Sequence, residues 1–348
     1  MFQRWGLALP AVAVLALLLP APASAASPAP QFRQVNQVSD QAGQANVTDP
    51  DLVNAWGLAL TPTSPLWVAN NGTNTATVYS GGLTGAPVTK AGLTVHIAGG
   101  APTGQVANDT NGFLVAGAPA RFLFASEGGD ITAWNTSTGT TAPVVVHTPG
   151  AIYKGLALWH TSFGTFLLAV DFHNARIDVF DSMFQNATLP FMFHDSLLPL
   201  GYAPFNVLTV GDTVYVTYAR QDAAAQDEVD GAGLGFVDRY IQFGALVTRI
   251  ASRGSLNAPW GLAIAPAGFG DLAGTLLVGN FGDGHVSVFN DRTFAGQLIG
   301  ADAQPVAIDR LWALLPGTAS TGGAGTLWFS AGPDDEQHGL VGQLIPIG

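Results

Sequence analysis

Residues 275–290 read TLLVGNFGDGHVSVFN: a short apolar run, a turn carrying Asn280, Gly282, Asp283 and Gly284, and a second run with apolar residues at alternate positions. Alternation with a period of two on either side of a Gly/Asn/Asp turn predicts a β-hairpin. The same arrangement returns as LWVANNGTNTATVYS (66–80), FLFASEGGDITAWN (122–135) and FLLAVDFHNARIDVFD (166–181). A matching lead precedes three of the hairpins: AWGLAL (55–60), YKGLAL (153–158) and PWGLAI (259–264). The residue at the centre of each lead is small in five of six copies. These markers, Gly57, Gly104, Gly155, Phe205, Gly261 and Ala313, fall 47, 51, 50, 56 and 52 residues apart. A period near fifty places the chain among propellers and solenoids.

Second strands are predicted at 66–69, 122–125, 166–170, 214–218, 276–279 and 327–330, and third strands at 76–79, 131–134, 176–180, 236–241, 285–289 and 340–345. Fourth strands are predicted at 93–98, 143–147, 191–194, 245–251 and 294–299, so the sixth unit lacks one. The missing strand lies at the other end of the chain, where QFRQVNQV (31–38) alternates polar and apolar residues without a neighbour to pair with. Pairing it with the outer edge of the sixth unit closes a ring and removes an exposed sheet edge. A linear solenoid would need polar capping repeats, and none is evident. The expected fold is therefore all-β: a six-bladed β-propeller closed by the N-terminal strand pairing with the last blade.

The N-terminus has the pattern of an export signal: Arg4, an apolar run from Leu7 to Leu19, and the small-x-small segment Ala23-Ser24-Ala25. That reading divides the chain into a signal peptide at 1–25, a disordered Pro/Ala/Ser leader at 26–30 and a single propeller domain at 31–348. It predicts a secreted or periplasmic protein without a membrane span once the signal is removed. Cysteine is absent, so an exported domain of this length relies on its core alone. With 12 Lys plus Arg against 24 Asp plus Glu and a net charge of −12, the chain offers no basic face for nucleic acid.

The segments WGLAL, NNGT, YKGLAL, DFHNARIDVF, GYAPFNV, APWGLAIAPAGFG, LLVGNFGDG and LWFSAGPDDE resemble a family of exported bacterial propeller proteins with NHL-like repeats. The resemblance spans the chain after its N-terminal segment. It implies a six-bladed fold and export, and carries no activity.

Adjacent antiparallel strands bring the start of one beside the end of the other, so the leads and the turns after second strands gather at one mouth of the channel. Loops on a rigid scaffold are where function concentrates. The candidate ligand-binding residues at this mouth are Trp56, Asn70, Tyr153, Lys154, Asp171, His173, Asn206, Trp260, Asn280 and Trp312. Each has a structural alternative. Asn70, Asp171 and Asn280 occupy equivalent turns, where short side chains accept hydrogen bonds from nearby backbone. His173 beside Asp171 forms a hydrogen-bonded pair or a base. Trp56, Trp260 and Trp312 either pack between blades or, with Tyr153, line an aromatic platform for a sugar or apolar ligand.

The insert QDAAAQDEVDGAGLG (221–235) carries Asp222, Asp227, Glu228 and Asp230. With Asn206, the residues Asp222, Asp227 and Asp230 form a candidate calcium set, although the spacing does not match a calcium loop and a solvated acidic loop is the favoured account. The leading expectation is a binding or scaffold module for an envelope or extracellular glycan, peptide or protein. The alternative is a calcium-dependent hydrolase of the lactonase or esterase kind. Against it, the strand starts offer Asn206 as the single match to the Glu, two Asn and Asp that such enzymes place in the channel, and no Gly-x-Ser-x-Gly elbow is present.

Overall fold

The computed structural model describes residues 1–2 and 30–347, so nearly all of the signal peptide and of the leader lies outside the described residues. Six sheets stand around a central axis, each with its first strand innermost. Blade one runs Ala55–Ala59, Leu66–Asn70, Thr75–Ser80, Thr89–Ile97, and blade two Pro102–Ala107, Phe122–Ser126, Asp130–Trp134, Val144–His147. Blade four runs Tyr202–Val210, Thr213–Gln221, Phe236–Ile241, Ala245–Ser252, and blade five Pro259–Ile264, Leu276–Asn280, Val286–Asn290, Thr293–Gln297. Blade six takes Leu311–Pro316, Leu327–Ala331 and Leu340–Ile347 from the end of the chain, and Gln31–Ser39 from its beginning. That closing strand is antiparallel to Leu340–Ile347, from Gln31 opposite Ile347 to Ser39 opposite Leu340. Phe32, 1% exposed, anchors it with its ring 4.5 Å from that of Phe269 in blade five.

Blade three departs from the expected plan. Its strands are Tyr153–Thr161, Gly164–Asp171 and Arg176–Phe180, and residues 191–194 form no fourth strand. The outer edge of Arg176–Phe180 is satisfied otherwise: Ala187 N–H donates to Val179 O at 2.8 Å, and Val179 N–H donates to Thr188 Oγ1 at 2.9 Å. Phe193, whose run suggested a strand, instead packs between blades three and four, 5.5 Å from Trp159 and 5.6 Å from Tyr240. The apolar pattern was real, but it recorded an inter-blade wedge.

A register shift occurs at the head of the first strand in all six blades, beside each marker. Such bulges sharpen twist and re-aim side chains. The marker glycines follow from the narrowness of the ring. A Cβ on Gly57 would strike the carbonyl oxygen of Thr103 on blade two, and one on Gly104 would lie 2.7 Å from the Leu156 nitrogen on blade three. First strands thus touch backbone to backbone, and the recurring small residue is the sequence trace of that contact.

Between blades the core is apolar and aromatic. Trp67 of blade one stacks on Phe122 of blade two at 4.3 Å, within a cluster that includes Val78, Ile97 and Trp134. Burying a large apolar side chain is worth about 1.5–3 kcal/mol. Five further clusters of this kind hold the ring without any disulfide.

Candidate functional site: a plugged channel with one open funnel

The leads converge on the channel as expected, but they fill it. Trp56, Trp260 and Trp312, on the first strands of blades one, five and six, are 2%, 4% and 0% exposed. Trp56 stacks on Trp312 at 3.6 Å, and Trp260 meets both edge-on at 6.3 and 5.9 Å. Phe205 and Phe281 pack against Trp312. These rings form a plug at the head of the channel. They neither separate blades nor present a platform, so the aromatic-platform expectation is withdrawn.

A polar cap lies over the plug. The Lys154 ammonium sits 5.0 Å above the Trp56 ring, 2.6 Å from Glu127 Oε1 and 3.3 Å from Asp227 Oδ1, with the side chain 1% exposed. Burial alone would lower its pKa, but the charges of Glu127, Glu228 and Asp227 more than offset this and hold it above the ordinary value. Glu127 is held below its ordinary value because Lys154, and a hydrogen bond from Asn71, outweigh burial. Glu228 is less compensated. Burial pushes its carboxyl up to about 8 despite the neighbouring Lys154, and like charges on Glu336 and Asp227 add to the rise. Glu336, raised by burial, accepts a hydrogen bond from Asn54 Nδ2 at 2.6 Å, while Trp312 Nε1 donates to Asn54 Oδ1. Lys154 is thus a keystone of the cap, its charge balanced by Glu127 and Asp227 and its side chain closed off from solvent.

Other nominated residues have structural partners. Asn70 Nδ2 donates to Thr75 and Thr77 within its hairpin, and Asn280 bridges Ser255 O, Asp283 and the Asn257 N–H. Asp171 accepts from the N–H groups of Ile152 and Asn174. His173 does not pair with Asp171; its Nδ1 meets Ala225 O at 3.0 Å and tethers the 221–235 insert. Tyr153 is buried between blades two and three, its hydroxyl donating to Asp178 at 2.8 Å.

The calcium set is not assembled. Asp230 is paired with Arg310 at 2.9 Å, Asp222 accepts from the Gln226 N–H of its own loop, Asp227 faces Lys154, and Asn206 lies below the plug. Among the described residues no group of three or more His, Asp or Glu is placed to hold a metal ion. The insert closes on itself through Asp222, whose carboxylate accepts from the Gln226 and Asp227 N–H groups, and its carboxylates are spent on the loop, on Lys154 and on Arg310.

Below the plug the channel is open. A funnel of about 560 Å³ runs from Trp260 to the opposite face. The first strands form its wall, so position along them reads as depth. The tier one residue past each marker, Leu58, Gln105, Leu156, Asn206, Leu262 and Leu314, is 5–7% exposed throughout. Two residues further on, Leu60, Ala107, Leu158, Leu208, Ile264 and Pro316 form the next tier. The rim carries Asp109 and His160, with Asp109 Oδ1 3.2 Å from His160 Nε2.

The two amides of the deep tier are fixed by their donors. Gln105 Nε2 donates to Gly57 O and Trp67 O at 2.6 and 2.7 Å, and Asn206 Nδ2 donates to Trp260 O at 2.7 Å. Carbonyl partners for both NH₂ groups settle which amide atom is oxygen. Gln105 Oε1 and Trp260 Nε1 are buried without a partner. Asn206 therefore belongs to this tier and not to the plugged mouth where it was expected. The funnel escaped the sequence reading, although its signal was present: the LAL and LAI tails of the leads, apolar beyond the marker in blade after blade.

No protein-family profile matches the chain. The fold class is that of a β-propeller, and solved structures agree. A streptogramin B lyase matches with a TM-score of 0.51 at 10% identity, covering 91% of this chain and 98% of the other. A Bacteroides thetaiotaomicron protein of unknown function matches at 0.54 and 12%, covering 90% and 73%. Identities this low show shared architecture alone. By sequence, the chain belongs to the same family as two uncharacterized proteins of Acanthamoeba polyphaga mimivirus. One is 34% identical over 324 residues, 88% of this chain and 78% of the relative. The other is 32% identical over 316 residues, 85% and 81%. Both relatives are viral, where the sequence resemblance pointed to a bacterial family.

Proposed function

We propose that this protein is an exported ligand-binding propeller whose site is the funnel. One observation carries the proposal: the channel ends blindly at a tryptophan plug and opens as a cavity of ligand size, walled by aliphatic side chains with a few amides at its end. Binding sites have this composition, mostly apolar with few orienting polar groups. Within the expected range of glycan, peptide or protein, the wall favours a small apolar ligand or the apolar end of a peptide. A glycan would bury hydroxyls against leucine, each without a partner. The funnel holds no paired carboxylates, and the Asp109–His160 pair stands at its rim, so binding is preferred to the hydrolase reading.

The test uses the protein lacking residues 1–25 and a neutral fluorescent apolar probe. One probe per chain is expected to bind, to be lost in Leu208→Trp, which fills the funnel, and to be kept in Asp227→Ala, which alters only the cap. Equal binding by Leu208→Trp would sink the reading. Export rests on Arg4, the apolar run and Ala23-Ser24-Ala25. Expression with the native N-terminus should yield a product beginning near Ala26 outside the cytoplasm; an intact Met1 in the cytosol would refute it. Among the described residues no helix is long and apolar enough to cross a membrane.

A further inference from the structure

We infer that the funnel side of blades three and four is a docking face for the surface of a neutral or zwitterionic lipid bilayer. The inference goes beyond the funnel reading and does not depend on what the funnel holds. In an antiparallel meander the turns joining first to second and third to fourth strands stand on one side, here the side where the funnel opens. There Phe163 lies between Tyr153–Thr161 and Gly164–Asp171, Ile241 and Phe243 lie at the end of Phe236–Ile241, and Leu189 and Phe191 lie in the passage that replaces a fourth strand in blade three. All five side chains are exposed. The rings of Phe163 and Phe243 are 5.5 Å apart, beside a groove of about 150 Å³ lined by Trp159, Phe166, Leu189 and Met192. Contiguous exposed apolar surface of this kind marks a contact with a partner or a membrane. The backbone holds two of the rings out at a cost. Phe191 and Phe243 have φ of 68° and 60°, a left-handed conformation that bulky residues rarely adopt, yet they are 85% and 61% exposed. Rings this exposed gain little packing within the chain to offset the strain, and strain is retained where function selects it.

Charge and chain entry identify the occupant. No Asp, Glu, Lys or Arg falls within 161–166, 187–194 or 241–247. Asp181, Asp212 and the paired Asp109 and His160 flank the patch on the same side, so it offers no attraction to an anionic surface. Two copies joined face to face would set those aspartates against their own likeness, which disfavours a second copy. The acidic cap, with Glu127, Asp227, Glu228 and Glu336, lies at the other end of the channel and points away from anything docked here. The chain also enters the domain on this side. Phe32 of the closing strand packs on Phe269, which lies between the first and second strands of blade five. Only residues 20–30 separate that strand from the apolar run Leu7–Leu19. A chain whose apolar run is lodged in the export membrane is therefore held with its funnel side toward the lipid.

The test is co-sedimentation of the protein lacking residues 1–25 with phosphatidylcholine vesicles and, separately, with phosphatidylglycerol vesicles. Wild type should sediment with phosphatidylcholine at least as well as with phosphatidylglycerol. Phe191→Asn combined with Phe243→Asn should lower the partition coefficient about tenfold or more. Its melting temperature should hold or rise, because Asn accepts the left-handed backbone better than Phe does. Phe163→Ser, at a position outside that backbone region, repeats the measurement if the double variant fails to fold. Leu208→Trp, which fills the funnel, should sediment like wild type; loss of binding there would move the contact into the funnel and overturn the docking face. Wild type left in the supernatant, equal sedimentation of the Asn and Ser variants, or binding confined to phosphatidylglycerol each overturns the inference. A dimer in solution that the double variant abolishes, without vesicle binding, overturns it in favour of a second copy. The funnel reading is tested by the soluble probe and survives any of these results.

Discussion

Lys154 shows how a conspicuous residue can be read correctly as unusual and wrongly as available. Its place in a lead otherwise filled by aromatic or neutral residues was legible, whereas its pairing with Glu127 and Asp227 came from the structure. What the sequence could not show was Glu228 folding in from a 15-residue insert, 221–235, because that depends on how the insert lies across the cap. Lys154→Ala should lower stability by about 2–3 kcal/mol, since it leaves Glu127 half-buried without its counter-charge; a change below about 0.5 kcal/mol in urea unfolding would contradict the keystone role. Glu228 gives a pH test. Its folded pKa, about 8, lies above the ordinary value of 4.5, so the protonated carboxyl is the form the fold favours. That contribution is complete below about pH 4.5 and is lost as pH rises through 8. Glu228→Gln, which stays neutral, should match wild type at pH 4 and exceed it in stability at pH 9. Parallel stability curves across that window would show that the carboxyl is solvated.

At the scale of elements, the hairpins and the closing strand were readable because period-two alternation and turn chemistry are local. The small-residue markers were also readable, though their cause, contact between neighbouring first strands, needed the ring. Gly104→Val should destabilise by more than about 2 kcal/mol, because its Cβ has no space beside the Leu156 nitrogen. Gly92→Ala, open on all sides, should fall within about 0.5 kcal/mol of wild type; comparable losses from both would remove the packing argument. The fourth strand of blade three was misread because an apolar run records burial without saying against what. Phe193 is buried, but as a wedge. The closing strand is tested through Phe32→Ala, expected to cost about 3 kcal/mol and to expose the edge of Leu340–Ile347 to self-association. A monomer of unchanged melting temperature would mean that the strand is dispensable.

For the whole molecule, the ring places two mouths at opposite ends of one channel, and the sequence gives no rule for which is blocked. That is decided by volume: three indoles and two phenyl rings converge at one end, whereas leucines, amides and alanines leave space at the other. Substitutions in the cap and in the funnel should therefore be separable, Asp227→Ala leaving ligand affinity within about twofold and Leu208→Trp leaving melting temperature nearly unaltered. Strong coupling between the two would require the plug to move. The pairing of Gln31–Ser39 with Leu340–Ile347 also fixes a schedule. The earliest residues of the domain to leave the ribosome must wait for the last before they find their neighbour. A nascent chain can stack five blades and still remain an open arc, so the native circle can close only after Leu340–Ile347 has emerged.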